Sequence, residues 1–78
     1  MKGSHNRKKT PLRVAFGRIV RNKRMDLELT QEAAAEKAGM HPTYWSSVER
    51  GERNVGLENI VAIAKALGCL PKDIMPDC

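Results

Sequence analysis

The stretch LTQEAAAEKAGMHPTYWSSVERGERN, residues 29–54, decides the fold. Thr30 is a favourable N-cap for the short alanine-rich run that follows it, and Gly39 stands where that run ends. Pro42 then occupies a first helical position, and Gly51 is the next helix stop. The spacing predicts two short helices, of about eight and about nine residues, joined by a tight turn.

Apolar residues recur at helical spacing on both sides of this stretch. Before it, the pattern predicts a first helix from about Pro11 to Arg24. After it, an amphipathic helix begins at Leu57 and is closed by Gly68, and Pro71 starts a final helical turn. Because β-branched residues are scattered and form no alternating runs, the sequence predicts an all-α fold. We expect a compact five-helix bundle over residues 11–78.

Positive charge is concentrated at the front of the chain. The formal net charge is +5, and nine of the fourteen Lys and Arg residues precede the first acidic residue, Asp26. Residues 1–10 are predicted to be a flexible basic leader, in part derived from an expression vector. This asymmetry suits a polyanion, either a nucleic acid or a membrane surface. The alternative is a solvated basic tail that only aids solubility.

Other features of the sequence argue against several functions. No apolar run approaches the roughly 20 residues that span a bilayer, and the chain opens without a secretory signal, so a cytoplasmic protein without membrane contact is predicted. Cys69 and Cys78 are expected to be free thiols there. A metal site from these cysteines with His5 and His41 matches no compact zinc spacing. We expect no metal, no other cofactor and, without paired carboxylates, no enzyme activity.

Four short motifs occur together in the order typical of one family. LTQE resembles that family's entry to its second helix, AEKAG its exit and turn, SSVERGERN the end of its recognition helix, and IVAIAKALG its fourth helix. From about Phe16 to Met75 the chain is therefore identified as a member of the phage-repressor and Cro-type (XRE) helix-turn-helix family. Its format is similar to that of small restriction–modification controller proteins. The resemblance implies a repressor-like bundle and a sequence-specific transcriptional regulator whose recognition helix, about residues 42–50, enters the major groove of double-stranded DNA.

The resemblance also implies which residues read bases. The family's positions fall at the start and along the outer side of the recognition helix, on His41, Pro42, Thr43, Ser46 and Ser47. Tyr44 is a further candidate, with packing on the second helix as the alternative. None of these is an Arg, Asn or Gln that could pair bidentately with a purine. Specificity is therefore expected to depend on single hydrogen bonds, water and DNA shape.

Phosphate contacts are implied at the start of the second helix and just after the recognition helix, by Gln31, Arg50, Arg53 and Asn54. For these residues a polar first-turn side chain and solvated loop cations are the alternatives. Arg24 and Glu49 occupy positions where the family keeps a buried ion pair. Such a pair would join the first helix to the recognition helix and orient the latter.

Two positions depart together from the family pattern. Ala34 stands where relatives carry a large aliphatic residue, and Trp45 stands where they carry isoleucine or valine. Cores tolerate exchanges that conserve total volume. We hypothesise that the indole fills the space above Ala34 and fixes the angle between the two short helices.

The family implies a two-fold homodimer on a palindromic operator, with half-sites about one helical turn, roughly 34 Å, apart. The candidate dimer surface consists of Leu57, Leu70, Ile74 and Met75, with ordinary core cover as the alternative. No small-molecule inducer is implied, because no ligand domain follows. The competing function is a protein-interaction module, such as an antitoxin or adaptor, that uses the same helical bundle.

Overall fold

A computed structural model describes residues 9–77 of the chain, which form helices and turns and no strand. The helices are α1 Pro11–Asp26, α2 Gln31–Ala38, α3 Pro42–Glu49 and α4 Leu57–Ala66, followed by a 3-10 helix at Pro71–Ile74. Nearly all of the basic leader predicted for residues 1–10, with His5 and Cys78, lies outside the described residues. None of the helices within residues 9–77 is long and apolar enough to cross a bilayer.

The predicted all-α class is confirmed, but the predicted number of helices is wrong. Four α-helices are present in the described range, and the expected fifth is one 3-10 turn. Pro71 opens this turn and Pro76 follows soon after. A proline disfavours helical backbone at the residue before it, and Met75 is accordingly extended, with φ −83° and ψ 128°. The segment between the two prolines is therefore too short for an α-helix.

The core lies where the short helices meet the two longer ones. α2 packs against both α3 and α4, α1 packs against α3, and the 3-10 helix packs against α4 and α1. The fully buried large side chains come from all of these helices except α2, and are Val20, Trp45, Val48, Ile63 and Ile74. From α2, Ala34 and Ala35 are completely buried. Small side chains on α2 let the neighbouring helix backbones come close.

One prediction about the dimer surface is wrong. Ile74, a candidate for the dimer surface, is fully buried and belongs to the core. It closes the end of the bundle because the 3-10 helix folds back on α4 and α1. The other candidates, Leu57, Leu70 and Met75, are exposed, Leu57 by 77%.

Of the four groups considered for a metal site, His41 and Cys69 lie within the described residues. No three His, Cys, Asp or Glu side chains between residues 9 and 77 are grouped so that they could hold a metal ion. Cys69 is half-buried and packs on the core. Its burial raises the pKa of the thiol above the ordinary value, with a smaller opposing effect from Lys23.

Gly17 lets α1 approach the end of α3 at backbone distance. A Cβ atom built on Gly17 would lie 2.4 Å from the carbonyl oxygen of Val48 and 2.6 Å from that of Glu49. Both are backbone atoms, so neither can move aside without shifting a helix. The close approach of α1 and α3 therefore requires glycine at this position.

We expect Gly17→Ala to destabilise the fold by about 2 kcal/mol or more. Alanine in an exposed helix interior would stabilise by about 1 kcal/mol relative to glycine, but overpacking against two carbonyl groups costs more than this gain. Urea denaturation followed by circular dichroism measures the difference. The comparison variant is Gly56→Ala at the N-cap of α4, where nothing lies within 4 Å of the added carbon and only the N-cap preference for glycine over alanine is lost. A Gly17→Ala chain as stable as the wild type would contradict the proposed close contact.

Candidate nucleic-acid interface

The turn between α2 and α3 is fixed by local backbone geometry. Gly39 ends α2 in the left-handed conformation, φ 71°, which favours glycine. The Met40 N–H donates to the Ala35 carbonyl at 2.8 Å and completes the helix C-cap. Pro42 then begins α3 at a position where its missing N–H costs nothing. Two eight-residue helices follow each other with a defined turn between them, as a helix-turn-helix requires.

His41 begins α3 with an unusual cap. Its Nδ1 accepts a hydrogen bond from the Thr43 backbone N–H at 3.0 Å. A nitrogen that accepts carries no proton, so in this arrangement the ring N–H of the neutral imidazole is on Nε2. The exposed ring of His41 therefore offers a hydrogen-bond donor beside the start of α3.

A cluster around the Glu49 carboxylate joins the first three helices, and we call Arg24, Gln31, Trp45 and Glu49 the Glu49 cluster. Glu49 Oε2 accepts from Arg24 Nε and from Trp45 Nε1, both at 2.6 Å. Its Oε1 accepts from the terminal Nη2 of Arg24 at 3.1 Å and from Gln31 Nε2 at 2.9 Å. One carboxylate thus receives four N–H donors, including a bidentate arginine.

Burial and hydrogen bonding act in opposite directions on Glu49, whose side chain is 3% exposed. Burial alone raises the pKa of the carboxyl, but the hydrogen bonds from Arg24, Gln31 and Trp45 together outweigh it and lower the pKa below its ordinary value. Arg24 is 13% exposed and also donates to the Leu29 carbonyl at 2.8 Å. The ion pair predicted from the sequence is therefore present as a partly buried, hydrogen-bonded contact between α1 and α3.

Gln31 makes a side-chain contact that differs from the predicted one. Its side-chain amide donates to Glu49, whereas a phosphate contact was predicted for it. The side chain is half-buried at the first position of α2. Backbone N–H groups at a helix N-terminus are suited to anions. The phosphate contact of Gln31 therefore stays a prediction, made through its backbone N–H.

The outward side of α3 carries most of the predicted base-reading residues. His41 and Thr43 are exposed, and Pro42, Tyr44 and Ser46 are half-buried. They lie in the first five residues of α3 or directly before it, where an entering helix meets base edges. The structure therefore brings this group together on one short helix.

Ser47 is not on that surface, and the expectation that it faces outward is wrong. The side chain is fully buried. Its hydroxyl donates to the Tyr44 carbonyl at 2.6 Å and accepts from Arg53 Nε at 2.9 Å. Since both hydrogen-bonding roles are filled within the protein, the cost of burying the hydroxyl is offset. Ser47 therefore connects α3 to the loop after it and does not face the solvent.

The loop after α3 places two arginines differently. Arg50 is exposed and pairs with Glu52 through its Nε at 3.0 Å and its Nη2 at 3.1 Å, and it also donates to the Ser46 hydroxyl. Arg53 is half-buried, with its guanidinium carbon 5.3 Å from the centroid of the Tyr44 ring. Asn54, the remaining predicted phosphate ligand, is exposed. Both arginines lie beside the C-terminal end of α3.

Comparison with known proteins agrees with this geometry. A family model described as helix-turn-helix matches residues 20–74, more than half of the chain. The chain belongs to the helix-turn-helix family. Within it, control protein C.BamHI of Bacillus amyloliquefaciens is 46% identical over 65 residues, which are 82% of this chain and 80% of that protein.

Solved structures of the helix-turn-helix family extend the likeness to the fold. The restriction-modification controller protein C.AhdI from Aeromonas hydrophila has a TM-score of 0.78 at 40% identity, over 80% of this chain and 94% of that one. The DNA-binding domain of the P22 C2 repressor has a TM-score of 0.73 at 32% identity, over 76% of this chain and 78% of that one. This helix-turn-helix chain is a DNA-binding transcription regulator, as the sequence predicted.

Proposed function

We propose that this helix-turn-helix chain is a homodimeric controller of restriction–modification genes that binds a palindromic operator. Its similarity to the control protein C.BamHI and to the restriction-modification controller protein C.AhdI supports that role. The observation that carries the DNA-binding mode is the polar outward side of α3, which begins at His41 and ends beside Arg50 and Arg53. We propose binding and regulation without catalysis. The cytoplasmic location expected from the sequence remains a prediction.

Thr43, Ser46 and His41 supply the hydrogen bonds to base edges in this proposal. The hydroxyl groups of Thr43 and Ser46 can donate or accept, and the Thr43 methyl can pack on a thymine methyl. The Nε2–H of His41 suits an acceptor, either a purine N7 or a phosphate oxygen. Ser47 is not among the base-reading residues because its hydroxyl is buried. Single hydrogen bonds of this kind discriminate less than bidentate ones, so DNA shape is expected to add to specificity.

Phosphate contacts fix the register of α3 in the groove. The backbone N–H groups at the N-terminus of α2, beginning with Gln31, suit one phosphate. Arg53 and Asn54 suit another, at the opposite end of α3. Arg50 is already paired with Glu52, so a phosphate would have to compete with that carboxylate for the guanidinium.

Exposed apolar side chains support the proposed homodimer. Leu57 on α4, with Leu70 and Met75 at the ends of the 3-10 helix, are 77%, 58% and 46% exposed. Burial of these side chains against a second copy would stabilise the association through the hydrophobic effect. Sedimentation with and without operator DNA tests this, and a single protomer bound to each operator would contradict it.

We expect Thr43→Val to relax sequence discrimination at one operator position. Operators are first obtained by selection from a random oligonucleotide pool, and affinity is then measured for every single-base variant. Valine keeps the shape of threonine and removes only the hydroxyl, so the preference at the base it contacts should fall about 10-fold. Affinity for unrelated DNA should not change. Lys72→Ala, at an exposed position of the 3-10 helix, is the control with an unchanged base preference.

The competing protein-interaction module gives a different result in the same assay. DNA binding by the helix-turn-helix chain should yield one symmetric motif and an affinity that falls steeply with salt. A pool without an enriched motif, or binding that salt leaves unchanged, would exclude the regulator mechanism and favour the alternative partner.

A further inference from the structure

Ser47 is an unusual residue for the inner side of a recognition helix. Among residues 9–77 it is the one polar side chain that is fully buried. Alanine would fill almost the same space with a higher helix propensity and without a hydroxyl to satisfy. The hydroxyl donates to the Tyr44 carbonyl one turn earlier. This bond leaves an oxygen lone pair facing away from the helix, where it accepts from Arg53.

Arg53 is held by contacts of different kinds. Its Nε donates to the Ser47 hydroxyl at 2.9 Å, and its guanidinium lies over the Tyr44 ring at 5.3 Å. The ring is itself held, because its hydroxyl accepts from the Asn59 amide of α4 at 3.2 Å. A guanidinium fixed through Nε and one face has a defined plane and direction. The other edge of that plane carries the paired N–H donors of the two terminal nitrogens.

We propose that Ser47 is a positioning residue that orients Arg53 to bind one DNA phosphate in a bidentate manner. The inference rests on the proposed function, since it requires α3 to lie against DNA. Paired terminal N–H groups match two oxygens of a phosphate, which a lysine ammonium cannot do. Preorganisation reduces the side-chain entropy lost on binding. Ser47 therefore contributes to DNA affinity without touching DNA.

A double-mutant cycle in affinity for the selected operator tests this coupling. Ser47→Ala should weaken binding about 3- to 10-fold. Its melting temperature should stay close to that of the wild type because alanine fits the buried site. Arg53→Ala should weaken binding further and reduce the slope of log affinity against log salt by about 0.9. In the Arg53→Ala background, Ser47→Ala should have no further effect on affinity.

Arg53→Lys separates orientation from charge. Lysine keeps the positive charge, so the salt slope should stay near the wild-type value, whereas affinity should fall because the planar fork is lost. Adding Ser47→Ala to Arg53→Lys should then cost nothing more. The lysine variant changes a loop residue and so reports on Arg53 even if Ser47→Ala lowers the melting temperature.

Two results would overturn the inference. Equal losses from Ser47→Ala in the wild-type and Arg53→Ala backgrounds would mean that Ser47 acts on α3 independently of Arg53. An unchanged salt slope in Arg53→Ala would mean that Arg53 does not neutralise a phosphate. Either result can occur while the wild type still binds its operator, so it would leave the proposed function intact. Failure of the wild type to select any operator is the separate result that contradicts the function.

Discussion

Glu49→Ala is expected to cost about 3–5 kcal/mol of folding free energy, which approaches the whole stability of a domain of this size. The substitution removes the acceptor of four hydrogen bonds and leaves the Arg24 guanidinium half-buried without its carboxylate. Donors on Gln31 and Trp45 lose their partner at the same time. Urea denaturation monitored by fluorescence of Trp45, the one tryptophan in the sequence, measures the loss.

The control for Glu49→Ala is Glu52→Ala, which breaks the ion pair with Arg50, an exposed residue. Such a pair contributes about 0–1 kcal/mol, so the control should lose much less stability than Glu49→Ala. Replacing Arg24 and Glu49 together by methionine should recover part of the loss, because no charge is then left buried alone. If Glu49→Ala lost less than about 1 kcal/mol, the Glu49 cluster would not hold the helices together.

The same carboxylate predicts how stability depends on pH. Since the pKa of Glu49 is lower in the folded chain than in the unfolded one, its contribution is complete above the ordinary glutamate pKa. It is lost as the pH falls through the lowered folded-state pKa. Glu49→Gln cannot titrate, so the stability difference between wild type and this variant should shrink in acid. A difference that stays constant down to the acid limit would contradict this assignment.

Trp45→Ala is expected to destabilise by about 3–5 kcal/mol through a different mechanism. The indole is fully buried in the hydrophobic core, on the helix that packs against α1 and α2, and alanine would leave a large cavity there. This variant has no tryptophan, so its urea denaturation is followed by circular dichroism and not by fluorescence. Because Trp45 lies on α3, the proposed recognition helix, DNA affinity should fall together with stability.

Trp45→Phe separates the volume of the indole from its hydrogen bond. Phenylalanine keeps an aromatic ring in the core but cannot donate to Glu49, as Trp45 Nε1 does at 2.6 Å. A hydrogen bond to a charged group contributes about 1.5–3 kcal/mol, so this variant should fall between the wild type and Trp45→Ala. Trp45→Ile restores the residue type expected from the family. If Trp45→Ile left melting temperature and DNA affinity unchanged, the proposed compensation between Trp45 and Ala34 would be wrong.

Local signals in the sequence were sufficient to predict the four α-helices. As their residue types predict, Thr30 caps the start of α2 with its side chain, and Gly39 ends the helix with a positive φ. The positions of Arg24 and Glu49 were sufficient to predict their pairing. These features depend on residues close in the chain or on a family pattern, and both can be read without coordinates.

Contacts that depend on tertiary geometry could not be predicted in the same way. A helical pattern predicts that Ser47 faces outward, but the side chain is fully buried and accepts a hydrogen bond from Arg53 in the loop after α3. The hydrogen bond from Gln31 to Glu49 depends on the angle between α2 and α3. The close approach at Gly17 likewise depends on where α3 ends. A glycine within an otherwise regular helical pattern was the one available signal for that contact.

The backbone contact at Gly17 has a consequence for docking on the operator. α1 contacts the last carbonyl groups of α3 directly at Gly17. No flexible side chain lies between the two backbones there, so rotation or translation of α3 relative to α1 is restricted. In the proposed complex, a mismatch between α3 and the groove would then be accommodated more by the duplex than by movement of α3 against α1. Operators with easily kinked pyrimidine–purine steps beside the contacted bases would then be the least costly to fit.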